Sequence, residues 1–227
     1  MLFDVDQVKR ENITRSPIFA ERDIGSNKVE VTSAYLKSCG ITDIADVPLA
    51  LHESRHWQDR SAGTPDLVVS AANEHNVRHL IESLFPPVQI YGTTGKNWQA
   101  AVVRHAPMID PCSCCLFPEA THTPTMCATD QAVADQSDDR VDASLPFLSF
   151  AAGLMAAAEI LKLQIPGYSM HPNRAFLATR PDVRFSRSGM THRPGCPCAT
   201  RSKTAHLEMI KDSLYASLPT DRIRQSA

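Results

Sequence analysis

The chain has 227 residues, 43% of them hydrophobic, which suits one large α/β domain with a core of its own. Its formal net charge of −2 gives no basic surface for nucleic acid or an anionic membrane, so we expect neither as a partner. Seven cysteines without a signal sequence indicate a reducing, cytoplasmic setting. Clustered cysteines there bind metal or take part in catalysis rather than form disulfides.

The N-terminal segment carries the side chains that a nucleotide site needs. Residues 3–8 alternate acidic and apolar side chains like a strand that ends in a loop, with Asp4 at the end of the strand. A carboxylate there can bind both hydroxyls of a ribose. Arg15 and Lys28 follow, and such cations hold phosphate. The segment predicts one side of a nucleotide site; the alternative is a strand followed by a solvated charged loop.

The rest of the chain alternates helical and extended patterns. An apolar run over residues 66–72 is typical of a parallel strand buried on both faces, and residues 94–97 have turn composition. The order predicts an α/β fold whose sheet is mostly parallel with an antiparallel continuation. The predicted helices are residues 27–38, 73–84, 145–163 and 204–218, and Gly40 is the predicted stop of the first helix. The later strands are residues 47–51, 66–72, 87–93, 98–105, 174–179 and 183–186.

The helix over residues 145–163 is apolar enough to raise the question of a membrane span. Glu159 and Lys162 interrupt it, and the remaining apolar stretch is too short to cross a bilayer core of about 30 Å. We therefore expect a buried core helix. We expect residues 219–227 to form a disordered tail.

Four cysteines form two tight groups. Cys112 and Cys115 have the C-x2-C spacing that chelates Zn²⁺, and Cys196 and Cys198 follow about 80 residues later. Together they predict a closed structural zinc site. Cys114 and His192 are spare candidate ligands, and buried free thiols are the alternative.

The segment FDVDQVKRENITRSPIFAERDIGSNK resembles the ThiF/MoeB family, the adenylating core that ubiquitin-activating enzymes share. The family pattern is D-x-D-x-V-x-x-x-N-L-x-R-Q, followed by an acidic loop, a glycine and a lysine. The matching residues are Asp4, Asp6, Val8, Asn12, Arg15, Gly25 and Lys28. The resemblance implies a Rossmann-like fold in which Asp4 binds ribose, while Asn12, Arg15 and Lys28 bind the phosphates of ATP. It extends to about Cys198, with zinc knuckles at the cysteine pairs, and implies one adenylation domain over residues 1–218.

Two departures from the family pattern stand out. The chain contains no G-x-G-x-x-G turn, which the family places before this segment. This predicts an N-terminally truncated domain, a partner that supplies the missing half, or a degenerate copy. The other departure is at the position implied for Mg²⁺, where Asn73 stands, with Ser70 in place of an earlier acid. An amide is a poorer ligand than a carboxylate for this hard cation.

The resemblance also implies a reaction and its partners. If the missing half is supplied, the chain is expected to use ATP and Mg²⁺ to adenylate the C-terminal carboxylate of a ubiquitin-like or sulfur-carrier protein, as a homodimer or heterodimer. Cys127 lies in a polar segment predicted as a mobile loop, and the resemblance makes it an acyl acceptor, since thiolates attack acyl adenylates readily. An incidental loop cysteine is the alternative. The competing readings of the whole chain are a non-catalytic scaffold subunit and a truncated fragment.

Overall fold

In the computed structural model of this chain, the structure describes residues 1–54, 65–72, 75–84, 86–95, 98–106, 110–116, 145–165, 172–196 and 198. The chain divides into two compact units, Met1–Gly63 and Thr64–Ala227. The helix predicted over residues 204–218 and the tail 219–227 lie outside the described residues. A single domain over residues 1–218 stays a prediction.

The N-terminal unit is built on a small parallel sheet crossed by one helix. Strand β1 (Leu2–Phe3) pairs in parallel with β2 (Asp46–Val47). Parallel neighbours need a crossover connection, and helix α2 (Lys28–Ser38) lies in that connection, where it buries Val29 and Ser33. The unit also contains a short helix α1 (Arg10–Ile13) and the 3₁₀ turns Glu21–Asp23 and Leu51–Glu53.

Helix α2 ends where the glycine in the sequence predicts. Gly40 has a φ of +90°, in the left-handed region that favours glycine. Its N–H donates to the carbonyl of Lys37 at 3.0 Å, and the next N–H, of Ile41, donates to Leu36 at 3.1 Å. This paired pattern is a Schellman motif, which satisfies the last carbonyls of the helix.

The first strand of this unit ends almost where the sequence predicts, and the second is shorter than predicted. Strand β1 ends at Phe3, one residue before Asp4, and the strand predicted over residues 47–51 is only the pair Asp46–Val47. In the first case, the backbone N–H of Asp6 donates to the carboxylate of Asp4 at 2.9 Å. Such a local bond offers the backbone an alternative to the sheet ladder, so the chain turns directly after the strand.

The C-terminal unit contains a five-stranded sheet with strand order β3-β4-β5-β6-β7. Strands β3 and β4 are parallel and are joined across helix α3 (His75–Leu84), while β4, β5, β6 and β7 pair antiparallel. The strands are β3 (Leu67–Ser70), β4 (Val88–Gly95), β5 (Gln99–His105), β6 (Arg174–Ala178) and β7 (Arg184–Ser188). A four-residue helix, α4 (Ser113–Leu116), follows β5.

The α/β fold with its antiparallel continuation is confirmed, but the proportions differ from the prediction. Among the strands that the structure describes, three pairings are antiparallel and two are parallel, counting the β1–β2 pair. The sequence predicts each strand from its own pattern, whereas the share of parallel pairings depends on which strands become neighbours. The described sheet is therefore less parallel than predicted.

Helix α5 (Pro146–Leu163) covers one face of this sheet. Its buried residues recur every three to four positions, so one stripe of the helix packs on the strands: Leu148, Ala152, Ala156, Glu159 and Leu163. The prediction of a core helix holds for that stripe, while Phe150 and Leu154 on other faces are exposed. Among the described residues this is the one helix long and apolar enough, by length and composition, to cross a membrane.

A buried ionic cluster fastens α5 to the end of β5. The guanidinium of Arg104 contacts Asp110 through two nitrogens, at 3.0 and 3.3 Å, and Glu159 through the third, at 3.5 Å. Lys162 pairs with the other oxygen of Glu159. Buried charges are tolerated when they are paired in this way. This cluster explains why Glu159, an acid in an apolar helix, points into the protein.

Candidate functional site

The backbone of the N-terminal unit brings together the two ends of the segment that carries the N-terminal motif, residues 6–8 and 25–28. Residues 6–8 run antiparallel to residues 25–28: Val8 N–H donates to Ser26 at 2.8 Å, and Lys28 N–H donates to Asp6 at 3.0 Å. Gly25 closes the returning loop with a φ of +88° and donates its N–H to Val8 at 2.9 Å. Residues that are 22 positions apart in sequence thereby become neighbours.

Three charged residues meet at this point. The ammonium of Lys28 contacts a carboxylate oxygen of Asp6 at 2.7 Å, and Asp6 in turn is bonded to Asp4 through its N–H. The Lys28 side chain is 24% exposed and that of Asp6 is 46% exposed, so the pair is open to solvent on one side. An ammonium carries three hydrogens, and pairing with one carboxylate leaves donors for a phosphate. Asp6 thus orients Lys28 without saturating it.

A cavity of about 320 Å³ opens beside this pair. Its lining combines a carboxylate, a cation and apolar side chains: Leu2, Phe3, Asp4, Phe19, Lys28, Val29 and Thr32. Phe19 and Thr32 were not singled out in the sequence, because neither belongs to a recognisable spacing. Lys28 is also the first residue of α2, where the helix dipole favours negative charge. Apolar walls can pack against a nucleotide base, a carboxylate can bind the ribose hydroxyls, and a cation can bind a phosphate.

Asn12 and Arg15 do not line the cavity. The side-chain oxygen of Asn12 accepts the Lys9 N–H at 2.9 Å and so closes the first turn of α1. The Nε of Arg15 donates to the carbonyl of Glu11 at 3.2 Å, at the end of the same helix. Their assignment to ATP phosphates stays a prediction.

The predicted magnesium position lies just past a well-anchored turn. Ser70 is buried and its hydroxyl accepts the Ala72 N–H at 3.4 Å, while the Arg78 guanidinium donates to the Ala72 carbonyl at 2.9 Å. Asn73 and Cys127, both predicted site residues, lie outside the described residues.

The second candidate site is the four-cysteine cluster of the C-terminal unit. The sulfurs of Cys112, Cys115, Cys196 and Cys198 all lie within 4.8 Å of one another. The separations are 3.4 Å for Cys112–Cys196, 3.6 Å for Cys115–Cys198 and 3.9 Å for Cys112–Cys115. A Zn²⁺ ion bonded to four sulfurs at about 2.3 Å sets neighbouring sulfurs about 3.8 Å apart. The described thiols are free rather than disulfide-bonded and fit that tetrahedron.

Protons compete with a metal for the sulfurs of this cluster. Burial raises the pKa of the Cys196 thiol to about 11. Hydrogen bonding with Cys112, and burial after it, raise the pKa of Cys198 as well. Without a metal these thiols therefore stay protonated at neutral pH. Zinc binds thiolates and releases their protons, so its affinity for the cluster rises with pH.

Two neighbours support the cysteine sulfurs. The backbone N–H of Arg193 donates to the sulfur of Cys115 at 3.3 Å, which stabilises a thiolate. The Nδ1 of His192 lies 3.3 Å from the sulfur of Cys198, within hydrogen-bond distance of that candidate ligand. The four cysteine sulfurs suffice for a tetrahedral site, so His192 is not needed as a metal ligand. The departure from C-x2-C to C-x-C at residues 196–198 therefore does not prevent closure of the cluster. The side chain of Cys114 lies outside the described residues.

The chain is similar in sequence and in fold to known proteins. The chain is 23% identical over 214 residues to the SAMP-activating enzyme E1 of Haloferax volcanii, covering 92% of this chain and 74% of that enzyme. Its fold is similar to that of E. coli MccB, solved with ATP, with a TM-score of 0.62 and 20% identity over 87% of this chain and 57% of MccB. PaaA is similar at a TM-score of 0.55 and 17% identity, over 83% of this chain and 63% of PaaA. The chain therefore spans less than two thirds of these solved relatives.

The family assignment rests on the greater part of the sequence. The ThiF family model matches residues 1–198, a span that includes the corner formed by Asp4, Asp6 and Lys28, the five-stranded sheet and both cysteine pairs. The resemblance read from the N-terminal motif is thereby confirmed. This chain belongs to the ThiF family.

Proposed function

We propose that this chain takes part in ATP-dependent adenylation of a carboxylate. The observation that carries the proposal is the corner formed by Asp4, Asp6 and Lys28 beside an open cavity. The family membership supports it, as does the similarity to MccB, which has been solved with ATP. Asp4 would bind the ribose hydroxyls, and Lys28 would bind the phosphates.

The proposed chemistry is substitution at the α-phosphorus of ATP. A carboxylate oxygen forms a bond to the α-phosphorus, the bond to the bridging oxygen of the β-phosphate breaks, and pyrophosphate leaves with that electron pair. Negative charge grows on the phosphate oxygens during this step, and positioned cations stabilise it. Among the described residues that line the cavity, Lys28, held by Asp6, is the cation placed to do so. A bound Mg²⁺ would neutralise further phosphate charge, with Asn73 as its predicted neighbour.

The proposed substrate is a small protein or peptide with a free C-terminal carboxylate. The names of two relatives point this way, since one activates SAMP and MccB has been solved with MccA. A ubiquitin-like or sulfur-carrier protein remains the finer proposal, together with a cytoplasmic location and a dimeric assembly.

Exchange of labelled pyrophosphate into ATP tests the proposal. The chain is incubated with ATP, Mg²⁺ and a synthetic peptide that ends in Gly-Gly with a free carboxylate. The same peptide with an amidated C-terminus is the control, because it lacks the nucleophile. Exchange that requires the free carboxylate supports adenylation, and equal rates with both peptides contradict it.

A non-catalytic scaffold is the second candidate, and the β3–α3 turn favours it. Ser70, which stands where the family has an acid, is buried and engaged with Ala72. It therefore offers no carboxylate to a metal. A scaffold would bind the carrier protein without any carboxylate-dependent exchange, so the same assay separates the two functions.

A further prediction concerns Cys127 and thioester transfer. If Cys127 accepts the acyl group, its thiol must be accessible and free of metal. We expect alkylation of the native protein at Cys127 to be faster than at the four clustered cysteines. Cys127→Ser should retain carboxylate-dependent exchange but form no reductant-sensitive conjugate. A serine variant that conjugates as well as the parent chain would make Cys127 an ordinary loop residue.

A further inference from the structure

A buried polar network joins helix α3 to the first cysteine pair. The Glu82 carboxylate accepts the Tyr91 hydroxyl at 2.9 Å, and the same oxygen accepts the backbone N–H of Ser113. Ser113 begins α4, directly after Cys112, and α4 contains Cys115. One carboxylate thus holds together α3, strand β4 and the turn that carries two of the zinc ligands.

The hydrogen-bond directions in this network are fixed by donor counting. Tyr91 is 2% exposed, and its hydroxyl lies against both Glu82 and the side-chain amide of Gln89. A phenol has one hydrogen and cannot donate to both. Among the described residues, the buried Nε2 of Gln89 has no partner, and rotating the amide by 180° lets that nitrogen donate to the Tyr91 oxygen. The order is then Gln89 to Tyr91 to Glu82, with the carboxylate as the final acceptor.

The opposite end of the network reaches the turn after β3. Arg78 lies one helical turn before Glu82 on α3, and its guanidinium is 5.9 Å from the centre of the Tyr91 ring. The same guanidinium donates to the Ala72 carbonyl at 2.9 Å. Tyr91 therefore contacts both Arg78, which is hydrogen-bonded to the β3–α3 turn, and Glu82, which is hydrogen-bonded to the turn that carries Cys112.

We propose that Arg78, Tyr91 and Glu82 form a relay that couples metal binding at the four-cysteine cluster to the conformation of the β3–α3 turn. The inference rests on the proposed function for its consequence, because the turn leads to Asn73, the predicted magnesium position. In that reaction these three are positioning residues. The zinc cluster then does more than stabilise its own loops: it fixes the turn through a chain of buried contacts.

The test is the rate at which folded protein releases zinc to an excess of chromogenic chelator. Coupling of binding free energies is reciprocal, so loosening the turn must weaken zinc binding, and we expect the weaker binding to appear as faster release. Arg78→Met, which removes the bond to the Ala72 carbonyl and leaves the four cysteines in place, is expected to release zinc about tenfold faster, the effect of losing roughly one hydrogen bond from a charged group. Arg174→Met removes a partly buried arginine of the same unit outside the relay and is expected to match the parent chain.

Two further variants resolve the steps of the relay. Glu82→Ala is expected to speed release at least as much as Arg78→Met, while Glu82→Gln changes it little, because an amide oxygen still accepts the Ser113 N–H. Combining Glu82→Ala with Arg78→Met should give much less than the product of the two effects. Should Arg78→Met not fold, Tyr91→Phe takes its place, since it keeps the ring and removes only the hydroxyl.

Amide hydrogen exchange of the zinc-loaded proteins supplies the second readout. Arg78→Met should deprotect Ser113 as well as Ala72 if the relay exists. Zinc release at the parent rate, with deprotection confined to residues 67–72, overturns the proposal. Neither measurement uses ATP, so a failed relay and a failed adenylation assay are told apart.

Discussion

The variant that carries both Cys112→Ser and Cys196→Ser is expected to lose its zinc and much of its stability. The two changes together remove one ligand from each pair, and the remaining two sulfurs cannot close a tetrahedron. A ligand that binds only the folded chain, present at a thousand times its Kd, stabilises it by about 4 kcal/mol. We expect a loss of that order in the free energy of unfolding, measured by urea denaturation.

Metal analysis provides the matching control. The parent chain, purified without chelator, should contain about one zinc per chain, the stoichiometry of a closed four-sulfur site. Cys39→Ser changes an exposed free cysteine in the other unit and should leave both zinc and stability intact. A parent chain without metal would show that the four cysteines are only buried thiols.

Lys28→Ala is expected to reduce carboxylate-dependent pyrophosphate exchange by at least about a hundredfold, the usual cost of removing one group that stabilises transition-state charge. The physical reason is local, since Lys28 is the cation among the described residues that line the cavity. Its loss also leaves Asp6 without its 2.7 Å partner, which adds an uncompensated negative charge near the phosphates. Lys28→Arg retains the charge and should retain part of the activity.

Lys37→Ala is the matched control for this position. Lys37 lies on the same helix and forms its own ion pair, with Asp46 at 3.6 Å, away from the cavity lining. The Lys37→Ala variant should therefore exchange pyrophosphate at the parent rate. Equal losses in the two lysine variants would assign the effect to the stability of α2 rather than to the site.

Much of the fold could be predicted because its determinants are local. Gly40 ends α2 as expected, since only a residue tolerant of positive φ suits that position. The parallel strand β3 follows from its apolar run, and the antiparallel pair β4 and β5 from the turn between them. The two cysteine pairs converge as predicted from ligand spacing.

What could not be predicted depends on contacts between distant segments. Phe19 and Thr32 carry no motif, and they line the cavity because the chain folds back at Gly25. The capping role of Asn12 competes with its expected phosphate role, and no spacing reveals this. In the sequence, Glu82 cannot be told from any other helical acid, and its bond to the Ser113 N–H is visible only in the structure.

The nucleotide site proposed at Asp4, Asp6 and Lys28 can be observed in a crystal structure of the chain soaked with saturating AMPCPP and Mg²⁺. We expect the nucleotide in the cavity lined by Phe19 and Val29, with a ribose hydroxyl on the Asp4 carboxylate and a phosphate oxygen within hydrogen-bond distance of Lys28 Nζ. Nucleotide bound elsewhere on the chain, or a cavity that stays empty at saturation, would contradict it.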